Sequence, residues 1–194
     1  MIIYVATIID GGEPNAAAGS PERGGAVTTP PTSEEVSAIQ MEIAQRRPFH
    51  SVKAEIAVSI LRTAALIERH FAQVVARTGL TIQQYNVLRI LRGAGTEGMP
   101  TLVIRDRMIH EAPGITRLLD KLEKAGFARR ERTASDRRQV FCFITERGLA
   151  VVDELDEEMR EADDVAVGNL SEAEQKQLLK LLEGVRARHR AKKG

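Results

Sequence analysis

The stretch Met99–Gly148, MPTLVIRDRMIHEAPGITRLLDKLEKAGFARRERTASDRRQVFCFITERG, limits what this chain can fold into more than any other. Two short segments of helical character meet at a tight turn. An arginine-studded pair of strand-like segments follows them. Val140, Cys142 and Ile144 alternate with Phe141 and Phe143, the period of two that a strand requires. Phe127 to Arg132 can pair with that strand, leaving Thr133 to Arg138 as the tip of a hairpin. Helix, turn, helix and hairpin in this order make a winged helix-turn-helix. The expected fold class is therefore mainly α with a small β-hairpin wing.

The second helix of the pair is expected to start near Pro113, with proline preorganised at the first helical position. At about 100° per residue, Pro113, Gly114, Lys121 and Lys124 cluster on the side of Arg117. Ile115, Leu118, Leu119 and Leu122 fall on the opposite side. Gly126 supplies the positive φ that a helix C-terminus favours. Such a helix presents a core face and a basic face with small residues at its start. Gly114 would admit close approach of a nucleic-acid backbone. Thr116 and Arg117 can reach base edges, arginine by paired hydrogen bonds to guanine. Lys121 is better suited to phosphate. Taken alone, Arg117, Lys121 and Lys124 could be a solvated face paired with Asp120 and Glu123. The hairpin shifts the balance, because its tip carries Asp136, Arg137 and Arg138 and its base carries Arg129, Arg130 and Arg132. Arginine on a narrow ribbon can enter a minor groove, where the negative potential is enhanced. Asp136 is expected to orient the tip by bonding backbone N–H groups or an arginine. Double-stranded DNA is thus the expected partner.

Outside this unit the chain divides as follows. Residues 1–31 hold an apolar run, Met1 to Ile9, and then a Gly, Pro, Ala and Thr-rich stretch expected to be a flexible tail. A short accessory helix is expected over 32–47, opened by Thr32 and Glu35 as a capping box and ended before Pro48. From Ser51 to Arg77, apolar residues including Val52, Ile56, Ile60, Ile67, Phe71 and Val74 recur at helical spacing. Thr81 and Gln84 form a capping box opening a helix to about Leu91, with Gly93-Ala94-Gly95 as a loop. After the hairpin, Thr145 caps one helix with the stripe Leu149, Val152, Leu155, Met159 and Ala162. Ser171 and Glu174 open the last helix, whose apolar residues spread from Leu178 to Leu179, about 100° apart on the wheel. Segments 48–80 and 148–190 are expected to be dimerisation helices around a DNA-binding region over 81–147, since helices apolar on more than one side need more than one neighbour.

Charge follows the same division. Residues 99–147 carry eleven Lys/Arg against seven Asp/Glu, a balance of +4, and residues 148–183 carry three against eleven, a balance of −8. Only part of the surface would suit an anionic polymer. The single Cys142 excludes an internal disulfide and fits a reducing cytoplasm. No apolar run approaches the roughly 18 to 20 residues that span a bilayer, so no membrane role is expected. His50, His70, His110 and His189 are scattered without ligand spacing, so no metal is expected. Neither a cofactor fingerprint nor a nucleophile with its base is present, so an enzyme is not expected. An effector pocket between Ser51–Arg77, Thr81–Leu91 and Leu149–Ala162 could use Arg62, Arg69, His70 or Tyr85, each equally readable as a surface or interface residue.

The segment from about Phe49 to Arg188 resembles the MarR family of winged-helix transcription regulators. The resemblance is carried by Ile115-Thr116-Arg117-Leu118-Leu119-Asp120-Lys121-Leu122-Glu123-Lys124-Ala125-Gly126 as recognition helix. It is also carried by Asp136-Arg137-Arg138 as wing tip, and by Ile144-Thr145-Glu146-Arg147-Gly148 leading into the next helix. It implies a homodimer with interlocking terminal helices on pseudo-palindromic DNA, expected to be a repressor. It further implies a small anionic or phenolic ligand between dimer region and reading head, Arg138 in the minor groove and Arg137 on phosphate. Two alternatives stay open: a protein-interaction module using the winged helix as scaffold, and a redox-responsive regulator built on Cys142. Arg138→Ala is expected to weaken operator binding and flatten its salt dependence, a change read by titration across several salt concentrations.

Overall fold

The computed structural model describes residues 36–132 and 139–190, in two units, Met1–Phe49 and His50–Gly194. In the first unit, helix α1 (Ala38–Glu42) is opened by Ser37, whose hydroxyl accepts the Gln40 N–H. It is five residues long, far short of the helix expected over 32–47. Residues 32–35, with the expected Thr32–Glu35 capping box, lie outside the described residues. The helix closes because Ala44 takes a left-handed φ of 54°. Its N–H and that of Gln45 turn back to the carbonyls of Met41 and Gln40, the closure usually made by glycine. An alanine in that position carries no sequence signal.

The second unit begins with α2 (Val52–Ala76), about 37 Å long at 1.5 Å per residue, capped by Ser51. Only its last turns join the core, through buried Val75 and the half-buried Phe71 and Val74. Gly79, at φ 74°, lets the chain turn after it. The expected capping box then opens α3 (Ile82–Ala94): Thr81 Oγ1 accepts from Gln84 N, and Gln84 Oε1 accepts from Thr81 N. Helix α3 runs through Gly93 and Ala94, three residues beyond the expected end, and a 3₁₀ turn over Gly95–Glu97 follows. Tyr85, Val87, Leu88 and Leu91 place it at the centre of the core. It packs against α2, α4 (Thr101–Arg107), α5 (Ile115–Lys124) and α6 (Glu146–Glu154). Each fully buried Leu or Val contributes roughly 1.5–3 kcal/mol, so these four positions anchor every layer around them.

The sheet has three strands in the order β1-β3-β2, all antiparallel. Strand β2 (Ala128–Arg132) pairs with β3 (Val140–Ile144) in the register Ala128↔Ile144 to Arg132↔Val140. Strand β1 (Met99–Pro100) adds to the other side of β3, with Met99 opposite Cys142. A two-residue strand ending in proline has no alternation to read, so the sequence did not announce it.

The expected single helix after the hairpin is two, α6 and α7 (Asp156–Val167), meeting at Leu155. Val152, Leu155, Met159 and Ala162 are buried as one stripe across the junction. An ion-pair set lies at the junction: Arg92 of α3 donates to Asp153 at 3.0 Å and to both oxygens of Asp156 at 2.8 and 3.0 Å. This hydrogen bonding holds the Asp156 carboxyl below its ordinary range. The last helix, α8 (Glu172–Arg190), is opened by the expected Ser171–Glu174 box. It packs extensively against no other described element.

Gly148, on the first turn of α6, lies against the start of the wing. A Cβ there would sit 2.2 Å from the Phe127 carbonyl oxygen and 2.8 Å from Ile144. Gly148→Ala should therefore cost about 1–3 kcal/mol through overpacking. Gly114→Ala, in open space at a φ of −100°, should stay within roughly 0.5 kcal/mol of the parent. Denaturant unfolding of both variants checks the contrast.

Candidate nucleic-acid interface

Helix α5 carries the expected two faces. Ile115, Leu119 and Leu122 are buried and Leu118 is half-buried, whereas Thr116, Arg117, Lys121 and Lys124 are exposed. Its end is the expected glycine closure. Gly126, at φ 75°, donates to the Glu123 carbonyl and Phe127 donates to the Leu122 carbonyl, both at 2.9 Å. Its start differs from expectation. Pro113 and Gly114 precede the helix as the central pair of a turn closed by Ile115 N–H to Ala112 O at 3.1 Å. Proline's fixed φ serves the first central position of such a turn as well as it serves a first helical turn. Gly114 has a negative φ and no neighbour within 4 Å of an added Cβ, so neither strain nor crowding requires glycine there.

Two open clefts flank α5. One, of about 270 Å³, brings together Gly114, Arg117 and Lys121 with Gln83 and His110 over an apolar floor including Met108. The other, of about 450 Å³, lies between α4, α5 and the wing, lined by Thr101, Leu102, Thr116, Arg130, Gln139 and Val140. Thus Gly114, Arg117 and Lys121 share one side of the helix and Thr116 takes the other.

The acids of α5 do not pair with its own cations. Arg130, on β2, takes both: its Nη2 donates to Asp120 Oδ1 at 2.6 Å and to Glu123 Oε2 at 2.5 Å. Its backbone N–H donates to Glu123 Oε1 at 3.2 Å. Arg117, Lys121 and Lys124 hold no ion pair among the described residues. The wing base shows the same pattern. Arg130 is bound to α5, and Arg129 pairs with Glu131 while its guanidinium lies 4.3 Å from the Phe143 ring centroid. Two of the three basal arginines are therefore engaged within the protein. Asp136, Arg137 and Arg138 lie outside the described residues.

The turn before α5 is docked by contacts that sequence reasoning missed. Asn86 Oδ1 accepts the Ile109 N–H at 3.2 Å, and His110 Nε2 lies 3.3 Å from Glu68 Oε1 on α2. Their sequence separations of 23 and 42 residues leave no local signal. The effector candidates are not brought together at either cleft. Tyr85 is buried, its hydroxyl accepting from Arg89 at 3.2 Å. His70 lies beside Phe71, Arg69 is exposed and Arg62 is half-exposed.

Cys142 is fully buried in β3, 3.6 Å from the Thr101 hydroxyl. Burial pushes its thiol pKa up, so the reactive thiolate is scarce. The redox reading of Cys142 lacks both access and activation. Among the described residues no group of three or more His, Cys, Asp or Glu could hold a metal ion, and no helix is long and apolar enough to cross a membrane.

A buried three-helix centre, a helix α5 whose basic face makes no ion pair among the described residues and a three-stranded wing sheet are the architecture of a winged-helix DNA-binding protein. Comparison with known proteins agrees. A model of the MarR family matches residues 78–139. The HTH-type transcriptional regulator PecS of Dickeya dadantii is 31% identical over 151 residues, covering 76% of this chain and 90% of PecS. The crystal structure of a MarR transcription factor from Planctomyces limnophilus is 36% identical with a TM-score of 0.55, covering 70% of this chain and 98% of that one. Sco3205 of Streptomyces coelicolor, solved in complex with DNA, shares the fold at a TM-score of 0.63 and 23% identity, covering 73% of this chain and 91% of that one. The chain belongs to the MarR family and is a DNA-binding transcription regulator, not an enzyme.

Native Cys142 should resist a thiol reagent such as DTNB until the protein is unfolded in denaturant. Stoichiometric labelling of the folded protein within minutes would contradict its burial.

Proposed function

We propose that the protein is a cytoplasmic homodimeric repressor that reads a pseudo-palindromic operator and is released from it by a small anionic or phenolic molecule. Within it, 81–147 is the DNA-binding region, and 48–80 and 148–190 are the dimerisation helices. The observation that carries the dimer is apolar surface left uncovered on the terminal helices: Val52 is 71% exposed, Val165 72%, Leu179 64% and Leu181 61%. A second copy laid against these faces would bury them, since a helix apolar on more than one side needs more than one neighbour.

Each copy would then present one α5. Arg117 and Thr116 read bases, Lys121 meets phosphate, and Pro113 and Gly114 shape the approach to the helix. By the family resemblance Arg138 would enter the minor groove and Arg137 would meet phosphate, with Asp136 orienting the tip. Two-fold symmetry sets the half-sites about 34–36 Å apart. No metal or cofactor takes part. Arg62, Arg69, His70 and Tyr85, on the helices joining the dimer region to the reading head, remain the proposed effector contacts. A ligand that binds one placement of the head better than another shifts DNA affinity by that difference.

Sedimentation of the full chain should give twice the chain mass. Anisotropy titration with duplex from upstream of its own gene should show two chains per duplex and an affinity at least about 10³-fold above that for scrambled DNA. Added phenolic acid should weaken it. A monomer, or equal affinity for both duplexes, would overturn the proposal.

A further inference from the structure

We infer that Arg130 is a positioning residue for DNA reading: by gripping Asp120 and Glu123 it fixes the wing to the recognition helix and so sets sequence discrimination, without itself contacting DNA. The inference rests on the DNA-reading function proposed above.

Helix α5 and the wing are consecutive in the chain, joined through the Gly126 turn and by the shared packing of Leu119 and Leu122 with Phe127 and Ala128. Glycine at a positive φ closes the helix but puts no side chain between the two elements. The packing between them is non-directional, so a directional contact is needed to fix their angle. Arg130 is opposite buried Cys142 in the β2–β3 register, so its backbone is held by the sheet. Its side chain reaches back to α5, where Asp120 and Glu123, one helical turn apart, converge on one guanidinium. Nη2 lies 2.6 Å from Asp120 and 2.5 Å from Glu123, and Nε lies 2.9 Å from Glu123. The Arg130 N–H to Glu123 Oε1 bond ties the strand backbone to the same helix position. A planar fork of donors can hold two carboxylates at once, whereas a lysine ammonium is a single point charge.

The same contacts settle the electrostatics. Asp120 is exposed and Glu123 half-exposed on a helix meant to approach phosphate. Unpaired, both would repel DNA. With Arg130 between them the local balance is −1 rather than −2, and Arg117, Lys121 and Lys124 on the same helix make no ion pair among the described residues. Nε and Nη2 of Arg130 are engaged by carboxylates, and the side chain is 25% exposed, which suits a brace better than a groove contact.

The test compares the upstream duplex with a scrambled duplex of equal composition, using the full chain. The double substitution Asp120→Asn with Glu123→Gln makes the protein two charges more positive and releases Arg130. As a positioning residue, Arg130 predicts at least a tenfold loss of operator affinity while scrambled DNA is bound as well or better. Were Arg130 instead a DNA contact held back by the acids, both duplexes would be bound more tightly and the ratio kept. Arg130→Lys, which keeps the charge and aliphatic stem and so guards against simple unfolding, should also lower the ratio. Its slope of log affinity against log salt should stay unchanged, since no phosphate contact is removed. A ratio kept by both variants overturns the inference alone. Wild-type protein that fails to tell the duplexes apart overturns the DNA-reading proposal beneath it.

Discussion

The ion pairs that Arg130 makes with Asp120 and Glu123 join α5 to the wing across the glycine turn that links them in the chain. A winged helix works as a unit only if helix and ribbon keep a fixed angle, because the grooves of duplex DNA they would enter have fixed spacing. Hydrophobic packing supplies part of this constraint. Leu119 and Leu122 of α5 and Phe127 and Ala128 at the root of β2 share one core cluster. Packing is non-directional. The fork of Arg130 adds direction, because its donors must meet carboxylates in one plane. At partial exposure such pairs contribute little to stability, so their value lies in geometry and in charge compensation.

The other end of the head is fixed by the same kind of device. Arg92, near the end of the central helix, holds Asp153 and Asp156 on either side of the α6–α7 junction. Helix α7 packs against α2, so the break at Leu155 lies between the central helix's partners and the long helix. On the opposite flank, His110 and Glu68 link the turn before α5 to α2. In the proposed dimer these contacts would set the separation of the two recognition helices, and any effector would have to act against them.

Local signals in the sequence were legible and long-range ones were not. Three capping relations, at Ser171–Glu174, Thr81–Gln84 and Thr145, could be read because partner and cap lie three residues apart. The core face of α5 followed from helical period, and the hairpin from alternation at Val140–Ile144. Errors arose where one residue type serves two geometries. Pro113 fits a first helical turn and a tight turn equally well, and the choice depends on whether Ala112 O finds the Ile115 N–H. A continuous apolar stripe concealed the helix break at Leu155, because burial is the same on both sides of it. The basal arginines of the wing stood out in the sequence only as positive charge, and charge alone does not disclose a partner. Only the fold brings Arg130 within reach of Asp120, ten residues away.

The glycines of this region separate two uses of one residue. Gly126 is needed for its φ of 75°, and nothing but the end of Arg147, 3.7 Å away, would meet a Cβ there. Gly148 is needed for space, because the Phe127 carbonyl occupies the position of its absent Cβ. That close approach lets Phe127 N–H bond Leu122 O while its carbonyl accepts from Thr145 N at 3.1 Å. The Thr145 hydroxyl, which caps α6 by accepting from Gly148 N, also donates to Gly126 O at 2.7 Å. The recognition helix, wing and following helix therefore close on one another within a few residues. A bulky side chain at 148 would open this junction, and the first element displaced would be the strand that carries Arg130.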